Sequence, residues 1–178
     1  MESPTQIRPR GLADYLDVLT KAVFQSGISW RVVEAKWSGT REALRGFDPE
    51  RVANLSPKDI DTLSADTRLI RNRRKIEATV ENAETMLALD REHGGFKRYL
   101  RSHPDFETLS ADLVDRFKFL GDMGAYYFLY VVGEAVPPHE DWMARHRPQG
   151  FGARPAARTA GGGARGRAPA EGGSDTRG

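Results

Sequence analysis

An aromatic side chain beside two hydrogen-bonding side chains is the most distinctive chemical feature of this sequence. Gln25, Ser29 and Trp30 lie within one six-residue segment. A tryptophan ring attracts cations to its face, and amide or hydroxyl groups can hydrogen-bond the edge of a flat polar ligand. The segment therefore contains the groups needed to hold a planar cation. The alternative is that Trp30 belongs to the hydrophobic core, as a lone tryptophan more often does.

A basic run forms the second chemical feature. Between residues 68 and 75, five of the eight side chains are Arg or Lys. A run of this kind is usually a solvated helix face, but it could also neutralise several phosphates of a nucleic-acid strand. The candidates for phosphate contact within it are Arg71, Arg73, Arg74 and Lys75.

A tight break between two helical stretches, at residues 117–125, is the third feature. Lys118, Gly121 and Gly124 lie in this break, and Arg116 lies just before it. Such a turn can present backbone N–H groups and the positive end of the following helix to a phosphate without any base contact. The alternative is an ordinary hairpin of two helices closed by a C-cap glycine.

Apolar residues recur at helical spacing along almost the whole chain, and no stretch alternates strictly enough to predict a strand. Helix starts are marked by Asp48 before Pro49, by Ser56 with an acid at Asp59, and by Ser110. The pattern predicts an all-α fold of eight helices and a possible ninth. They span residues 11–26, 30–45, 49–54, 57–64, 72–90, 95–101, 110–117, 123–132 and, for the ninth, 139–146.

The end of the chain has a different composition. From residue 148 to residue 178 it consists mainly of Gly, Ala, Arg and Pro, with Phe151 as its one large apolar residue. This segment cannot bury enough surface to offset chain entropy, so we expect a disordered tail. For the rest of the chain, the sequence predicts a flexible N-terminus at residues 1–10 and one helical domain at residues 11–147.

Charge and cysteine content limit the possible functions. The chain has a net charge of +2 and a pI of about 9.0. The predicted tail contributes +3 of this, which leaves about −1 for residues 1–147, so any binding to nucleic acid must depend on local clusters. The absence of cysteine excludes disulfides, thiol catalysis and thiolate zinc sites. No apolar run is long enough to span a bilayer, and we expect a cytoplasmic monomer.

Three segments, taken in order, resemble the DNA-3-methyladenine glycosylase I family. They are FQSGISW at residues 24–30, FDPERVA at 47–53 and IRNRRKI at 70–76, and the similarity extends over about 120 residues, from Leu12 to Gly133. Members of this family excise alkylated bases from DNA. The resemblance implies a bundle of the helix-hairpin-helix glycosylase type, with the break at residues 117–125 as its hairpin. It also implies duplex DNA containing alkylated bases as the partner.

The resemblance assigns roles to the first segment. A glycosylase takes its target nucleotide out of the stack and reads it in a pocket. Trp30 matches the pocket tryptophan of the family, and Gln25 and Ser29 lie beside it in the same motif. Ile28 matches the apolar residue that fills the gap left by the flipped base, a role that apolar wedges play in DNA. A core position is the alternative for Ile28.

Departures from the family pattern concern the acid and the metal. Typical members carry a base-reading glutamate where this chain has Ala22. They also bind structural zinc through two cysteines and two histidines, and His139 falls within one residue of one such histidine. Without cysteine, and with a chain that begins just before the first shared helix, we expect neither the zinc site nor the second pocket aromatic of the family. No metal and no other cofactor is therefore expected.

A catalytic carboxylate can be proposed from the wider superfamily. Related helix-hairpin-helix glycosylases carry a catalytic aspartate beyond the helix that follows the hairpin, and Asp141 lies 20 residues after Gly121, with Glu140 next to it. Alternatively, these acids simply begin the last helix, where they favour the helix dipole. Met123 occupies the position at which lyase members have a Schiff-base lysine, so no strand cleavage is expected.

The sequence thus predicts a monofunctional glycosylase that hydrolyses the N-glycosidic bond of alkylated purines, with 3-methyladenine as the expected lesion. A catalytically weak or inactive DNA-binding module of the same fold is the alternative, and a helical domain with no role on nucleic acid is a third possibility. Retention of Trp30 with Gln25 favours the enzyme, whereas Ala22 favours the module.

Overall fold

The computed structural model describes residues 3–146, and this part of the chain is helical without any strand. The predicted all-α class is therefore confirmed. Between residues 3 and 146, nine α-helices and one short 3-10 turn follow one another. They are α1 (Leu12–Gln25), α2 (Trp30–Ala43), the 3-10 turn (Arg45–Phe47), α3 (Pro49–Ala53), α4 (Pro57–Ser64), α5 (Arg73–His93), α6 (Phe96–Leu100), α7 (Phe106–Arg116), α8 (Asp122–Val131) and α9 (His139–Arg145).

Two of the three predicted helix starts are confirmed. Asp48 accepts a hydrogen bond from the backbone N–H of Glu50 at 3.0 Å, and Ser56 forms a reciprocal capping box with Asp59. The start predicted at Ser110 is wrong. Helix α7 begins a full turn earlier because the Asp105 carboxylate caps it, accepting from the N–H of Thr108 at 2.7 Å.

Helix α5 is the centre of the bundle, and it packs against α1, α3, α4 and α6. Helix α1 packs in turn against α2 and α8, which places the end of α1 next to the beginnings of both. Gly124 lies where α1 and α8 come together, and a side chain there would press on Leu120 rather than on α1. A Cβ at Gly124 would lie 2.9 Å from Leu120 Cδ1 and 3.6 Å from the Cβ of Ala22. Residues near the ends of three helices thus meet on one side of the bundle.

Residues 6 and 7 are hydrogen-bonded to the C-terminal end of α8. The N–H of Ile7 donates to the carbonyl of Val131 at 2.8 Å, and the Gln6 amide donates to the carbonyl of Tyr130 at 3.0 Å. These contacts satisfy carbonyls at the open end of α8, and the flexible N-terminus at residues 1–10 stays a prediction. The predicted tail lies outside the described residues. Within residues 3–146, no helix is both long and apolar enough to cross a membrane.

Candidate base-recognition and DNA-binding site

An exposed aromatic side chain, Trp30, begins α2, and four side chains of α1, α2 and α8 lie around it or around its neighbour Tyr127. We refer to Lys21, Gln25, Trp30, Glu34 and Tyr127 as the Trp30 site. Trp30 is the first residue of α2 and is 46% exposed, which is unusual for a tryptophan. Its ring meets that of Tyr127 edge to face, with centroids 5.6 Å apart and planes at 82°. Tyr127 therefore holds the indole from one side, and nearly half of the Trp30 side chain stays open to solvent.

The turn before α2 explains why Trp30 is exposed. Gly27 has a φ of 76°, a left-handed conformation that strains other residues, and it redirects the chain after α1. Ser29 occupies the N-cap of α2, but its side chain makes no capping hydrogen bond, so the hydroxyl is not used by the helix. Ile28, the predicted wedge, is partly buried against the core, so only part of this side chain is available to enter DNA.

Gln25 has a buried donor with no partner. Its Nε2 atom is shielded from solvent and donates no hydrogen bond within the described part of the chain. The Tyr127 hydroxyl is an acceptor close to this amide, but no hydrogen bond of good geometry joins the two groups. Burial raises the pKa of the Tyr127 hydroxyl to about 12; the interaction with the Gln25 amide opposes this shift, and the negative charges of Glu34 and Asp17 add to it. Tyr127 is therefore neutral at physiological pH. An unsatisfied buried amide is costly, and such groups occur where a ligand completes the hydrogen bonding.

Two acids, Asp17 and Glu34, lie close enough to raise the pKa of the Tyr127 hydroxyl, and their own contacts differ. Asp17 is fully engaged, because its carboxylate accepts from Trp37 Nε1 at 2.7 Å and from Arg41 Nε at 2.6 Å. Glu34 forms an ion pair with Lys21 and keeps a side chain that is 44% exposed. The Lys21 ammonium lies 5.9 Å from the centre of the Trp30 ring, within the range of a cation–π contact.

The loop between α7 and α8 is held rigidly from below. Phe117 and Leu120 are buried on either side of it. Between them, the buried Asn82 of α5 accepts from the N–H of Lys118 at 2.7 Å and donates to the carbonyl of the same residue at 3.2 Å. This double contact fixes the loop backbone. The side chains of Lys118 and Phe119 consequently project outward, and both residues are exposed.

Replacing Asn82 by alanine tests how much the two hydrogen bonds to the Lys118 backbone contribute to stability. We expect the free energy of unfolding to fall by about 2 kcal/mol, because two hydrogen bonds disappear and the Lys118 backbone loses its buried partner. Chemical denaturation followed by circular dichroism measures this loss. Asn54→Ala is the matched control, since Asn54 is exposed and donates only to the carbonyl of Glu50 on its own helix. Equal stability of the Asn82 variant and the parent would show that Asn82 does not fix the loop.

The first turn of α8 leaves backbone donors available. Gly121 is its N-cap and has no side chain to satisfy them, and the first backbone bond of the helix is from Ala125 N to Gly121 O at 2.9 Å. The N–H groups of residues 122–124 therefore have no partner within the helix. Gly121 and Gly124, both predicted to meet DNA, lie at this open helix end, and Gly124 also lies at the contact with α1 described above.

The structure brings the basic run and the loop together. The guanidinium carbon of Arg74 lies 5.9 Å from the centre of the Phe119 ring at the tip of the loop. Arg71 is exposed nearby in the chain, whereas Arg73 pairs with Asp61 and with Glu77. Arg74, Arg71 and Arg73 are thus solvent-accessible. Of these three, Arg74 is the one that contacts the loop carrying Lys118.

Lys75 is a correction to the sequence analysis. It was predicted to contact the DNA backbone, but it is only 7% exposed. Its ammonium donates to the carbonyl of Phe24 at 3.4 Å and to that of Ser26, both at the C-terminal end of α1. Burial lowers the pKa of Lys75. Its charge stabilises the end of α1 and the turn that precedes Trp30, so it is unavailable to a phosphate.

Arg116 is also committed within the protein. Its Nε donates to Asp112 at 2.9 Å, one turn back along α7. Partial burial acts to raise the pKa of Asp112, but hydrogen bonds from Tyr99, His103 and Arg116 outweigh it and hold that pKa below its usual value. This network fastens α7 to the segment that follows α6. Arg116 is consequently a structural residue, although its partly exposed side chain remains on the surface.

The proposed catalytic acids lie on α9. Asp141 and Glu140 are both exposed and form no ion pair with any residue that the structure describes. Helix α9 is fixed by Trp142, whose ring stacks on that of Tyr126 with centroids 4.2 Å apart. Tyr126 precedes Tyr127, the α8 residue that contacts Trp30, by one residue. Successive residues on a helix differ by about 100° in direction, so α9 and the Trp30 ring contact different sides of α8.

Metal ligands do not converge in the described residues. No group of three or more His, Asp or Glu side chains between residues 3 and 146 could hold a metal ion. His139 instead lies among aromatic rings, 6.1 Å from Tyr126 and 5.9 Å from Tyr130 between ring centroids.

Comparison with known proteins places this arrangement in a family. The sequence model of the methyladenine glycosylases matches residues 12–114. The chain therefore belongs to the methyladenine glycosylase family, and the resemblance found in its motifs is confirmed. It is 35% identical over 91 residues to the DNA-3-methyladenine glycosylase of Haemophilus influenzae, covering 51% of this chain and 49% of that protein. It is 27% identical over 130 residues to DNA-3-methyladenine glycosylase 1 of Escherichia coli, covering 61% of this chain and 70% of that protein.

Solved structures agree on the fold. The 3-methyladenine DNA glycosylase I of Staphylococcus aureus, solved to explain its recognition of 3-methyladenine, aligns with a TM-score of 0.65 and 26% identity. The alignment covers 72% of this chain and 80% of that one. The predicted glycosylase-type bundle is therefore confirmed. The chain spans about half the length of the Haemophilus relative and more of the others, so its own activity is argued below from its residues.

Sequence reasoning missed three residues of this region. Glu34 lies one helical turn after Trp30, and the i,i+4 spacing could have placed it on the same face of α2. Tyr127 lies in the apolar run of α8, where nothing distinguishes it from Tyr126 or Tyr130. Asn82 is a polar residue inside a helix with many buried positions, and such a residue is a signal for a specific hydrogen-bonded contact.

Proposed function

We propose that this protein is a monofunctional DNA glycosylase that removes alkylated purines, with 3-methyladenine as its principal lesion. The observation that carries the proposal is the Trp30 site, where Tyr127 contacts the exposed indole and also neighbours the Gln25 amide, whose Nε2 has no hydrogen bond of good geometry within residues 3–146. A flipped base needs a stacking surface and hydrogen-bonding groups that are otherwise unsatisfied. Membership of the methyladenine glycosylase family supports this reading.

The chemistry required of the site is limited. Alkylation at N3 makes the purine cationic, so the base leaves as a neutral molecule when the N-glycosidic bond breaks. Strong general-acid catalysis is then unnecessary, and recognition of the cation becomes the main task. The Trp30 face offers a cation–π contact, and the neutral Tyr127 fixes the orientation of that ring. A carboxylate would stabilise the positive charge that grows at the sugar as the bond breaks, and Asp141 or Glu140 is the proposed source. Because α9 and the Trp30 ring contact different sides of α8, this role requires the sugar to reach past α8.

DNA binding is assigned to the loop between α7 and α8, acting as a helix-hairpin-helix motif. The open N–H groups after Gly121 are suited to a phosphate, and Lys118 and Arg74 add positive charge beside them. Arg71 and Arg73 extend this surface, whereas Lys75 does not belong to it. Contacts of this kind fix the protein on duplex DNA and leave the reading of the lesion to the Trp30 site. The cytoplasmic location and the monomeric state stay predictions.

Release of bases from methylated DNA tests the function directly. Purified protein is incubated with DNA alkylated by a methylating agent, and the released bases are separated by chromatography. We expect 3-methyladenine to be released without strand cleavage, since Met123 occupies the position of the lyase lysine. If the protein binds DNA but releases no base, the second candidate becomes correct. That candidate is a non-catalytic DNA-binding module, and Ala22 at the position of the family glutamate favours it.

The salt dependence of DNA binding tests the proposed phosphate contacts. Lys118→Ala and Arg74→Ala should each make the slope of log affinity against log salt less steep by up to about one, because each cation releases roughly one counterion from DNA. Fluorescence anisotropy with a labelled duplex at several salt concentrations measures the slope. Arg91→Ala is the matched control, since Arg91 lies at the other end of α5, about 25 Å from Arg74 along the helix. Unchanged slopes for both variants would remove this surface from the DNA interface.

A further inference from the structure

An acid is missing at the position where the family reads its base, and the Trp30 site contains another one. Ala22 is buried, and its Cβ faces Gly124 across the contact between α1 and α8. A cationic base stacked on Trp30 is partly removed from water. A nearby negative charge would then attract it more strongly, because less water screens the two charges. Two carboxylates, Asp17 and Glu34, lie near enough to Tyr127 to supply that charge.

Glu34 is the carboxylate that the geometry leaves available. Asp17 is held by the indole N–H of Trp37 and by Arg41, which satisfy both of its oxygens. Glu34 lies one helical turn after Trp30 on α2, so both side chains leave the helix on the same side. It is close enough to Tyr127 for its charge to influence that hydroxyl, and 44% of its side chain is exposed.

Lys21 marks the place of a positive charge in this site. Its ammonium forms the ion pair with Glu34 and lies 5.9 Å from the centre of the Trp30 ring and 5.8 Å from that of Trp37. The side chain is only 17% exposed. The protein therefore already holds a cation where a carboxylate and an aromatic face act together. A cationic base arriving at Trp30 would meet the same groups.

We propose that Glu34 is the base-reading carboxylate of this protein and that Lys21 is its resident counter-ion, which the cationic base displaces. This inference rests on the proposed function, and it names how the site selects alkylated bases. With Lys21 in place the Glu34 charge is neutralised, so a second cation at Trp30 gains little. The four-carbon stem of Lys21 allows its ammonium to swing away from Glu34. The carboxylate then pairs with the base, and an uncharged purine has no means of replacing Lys21.

Binding of free bases to variants of the full chain tests the proposal independently of catalysis. The probes are the cation 3,9-dimethyladeninium and the neutral 9-methyladenine, titrated by calorimetry. Glu34→Gln should weaken binding of the cation by about tenfold, the value of a hydrogen bond to a charged group, and leave the neutral base unaffected. Lys21→Met keeps the packing against both tryptophans and should tighten binding of the cation severalfold. Glu42→Gln, an exposed acid on the same helix paired with Arg68, should match the parent.

Excision measurements separate this inference from the proposed function. In single turnover, Glu34→Gln should release 3-methyladenine about tenfold more slowly than the parent, with an unchanged melting temperature. Parent-like binding of the cation by Glu34→Gln overturns the inference, and so does an equal loss for both probes, which would indicate a structural role. A parent that binds the cation and excises nothing overturns the proposed function alone. If Lys21→Met weakens binding of the cation, Lys21 is a ligand of the base rather than its competitor, and the proposal is wrong.

Discussion

Replacing Trp30 by alanine should reduce single-turnover release of 3-methyladenine by about a hundredfold, because stacking of a base on an aromatic side chain contributes roughly 1–3 kcal/mol. Trp30→Phe should retain an intermediate rate, since phenylalanine keeps a smaller aromatic face. The affinity for undamaged duplex DNA should change little in either variant. Phosphate contacts at the α7–α8 loop and base reading at Trp30 are separate contributions to binding.

Loss of folding is the rival explanation of such a result, and the structure indicates how to exclude it. Trp30 is 46% exposed and begins its helix, so truncation removes the contact with Tyr127 but opens no large cavity. The melting temperature of Trp30→Ala should therefore lie close to that of the parent. A folded Trp30→Ala protein with full activity would show that the base does not stack on this ring. Trp37 cannot serve as a control, because it is buried and stacks on Phe47 in the core.

Local sequence signals predicted the fold well, and the role of Trp30 in the base pocket stays a prediction. Helical periodicity and the caps at Asp48 and Ser56 are properties of neighbouring residues, so they could be read from the chain. The position of Trp30 followed from its motif. Its exposure did not follow from periodicity, since a lone tryptophan is more often buried, and it depends on the turn at Gly27.

The remaining features depend on contacts between distant residues, which a single sequence does not display. Lys75 looked like one more cation of a solvated run, but its position relative to the end of α1 buries it. The role proposed for Glu34 depends on Lys21, which reaches Glu34 and Trp30 from a different helix. Asn82 likewise matters because the α7–α8 loop folds over it, 36 residues later in the chain. In each case a polar group is explained by its partner rather than by its neighbours in sequence.

Replacing Asp141 by asparagine should slow excision of 3-methyladenine by on the order of a hundredfold and leave DNA affinity roughly unchanged. A carboxylate that faces the sugar stabilises a charge that exists mainly in the transition state, so it contributes to rate more than to binding. The substitution should not disturb the fold. Asp141 is exposed, and α9 is held by the stacking of Trp142 on Tyr126 rather than by its acids.

Glu140→Gln is the matched comparison, because it removes a charge from the adjacent residue of the same helix. If only Asp141→Asn slows excision, Asp141 is the catalytic carboxylate, and if only Glu140→Gln does so, the assignment moves to Glu140. If both variants excise at the parent rate, the instability of the cationic nucleotide is sufficient, and these acids only begin α9. In that outcome recognition at Trp30 and Glu34 would account for the selectivity, and the protein would act by binding the flipped cation rather than by assisting the departure of the base.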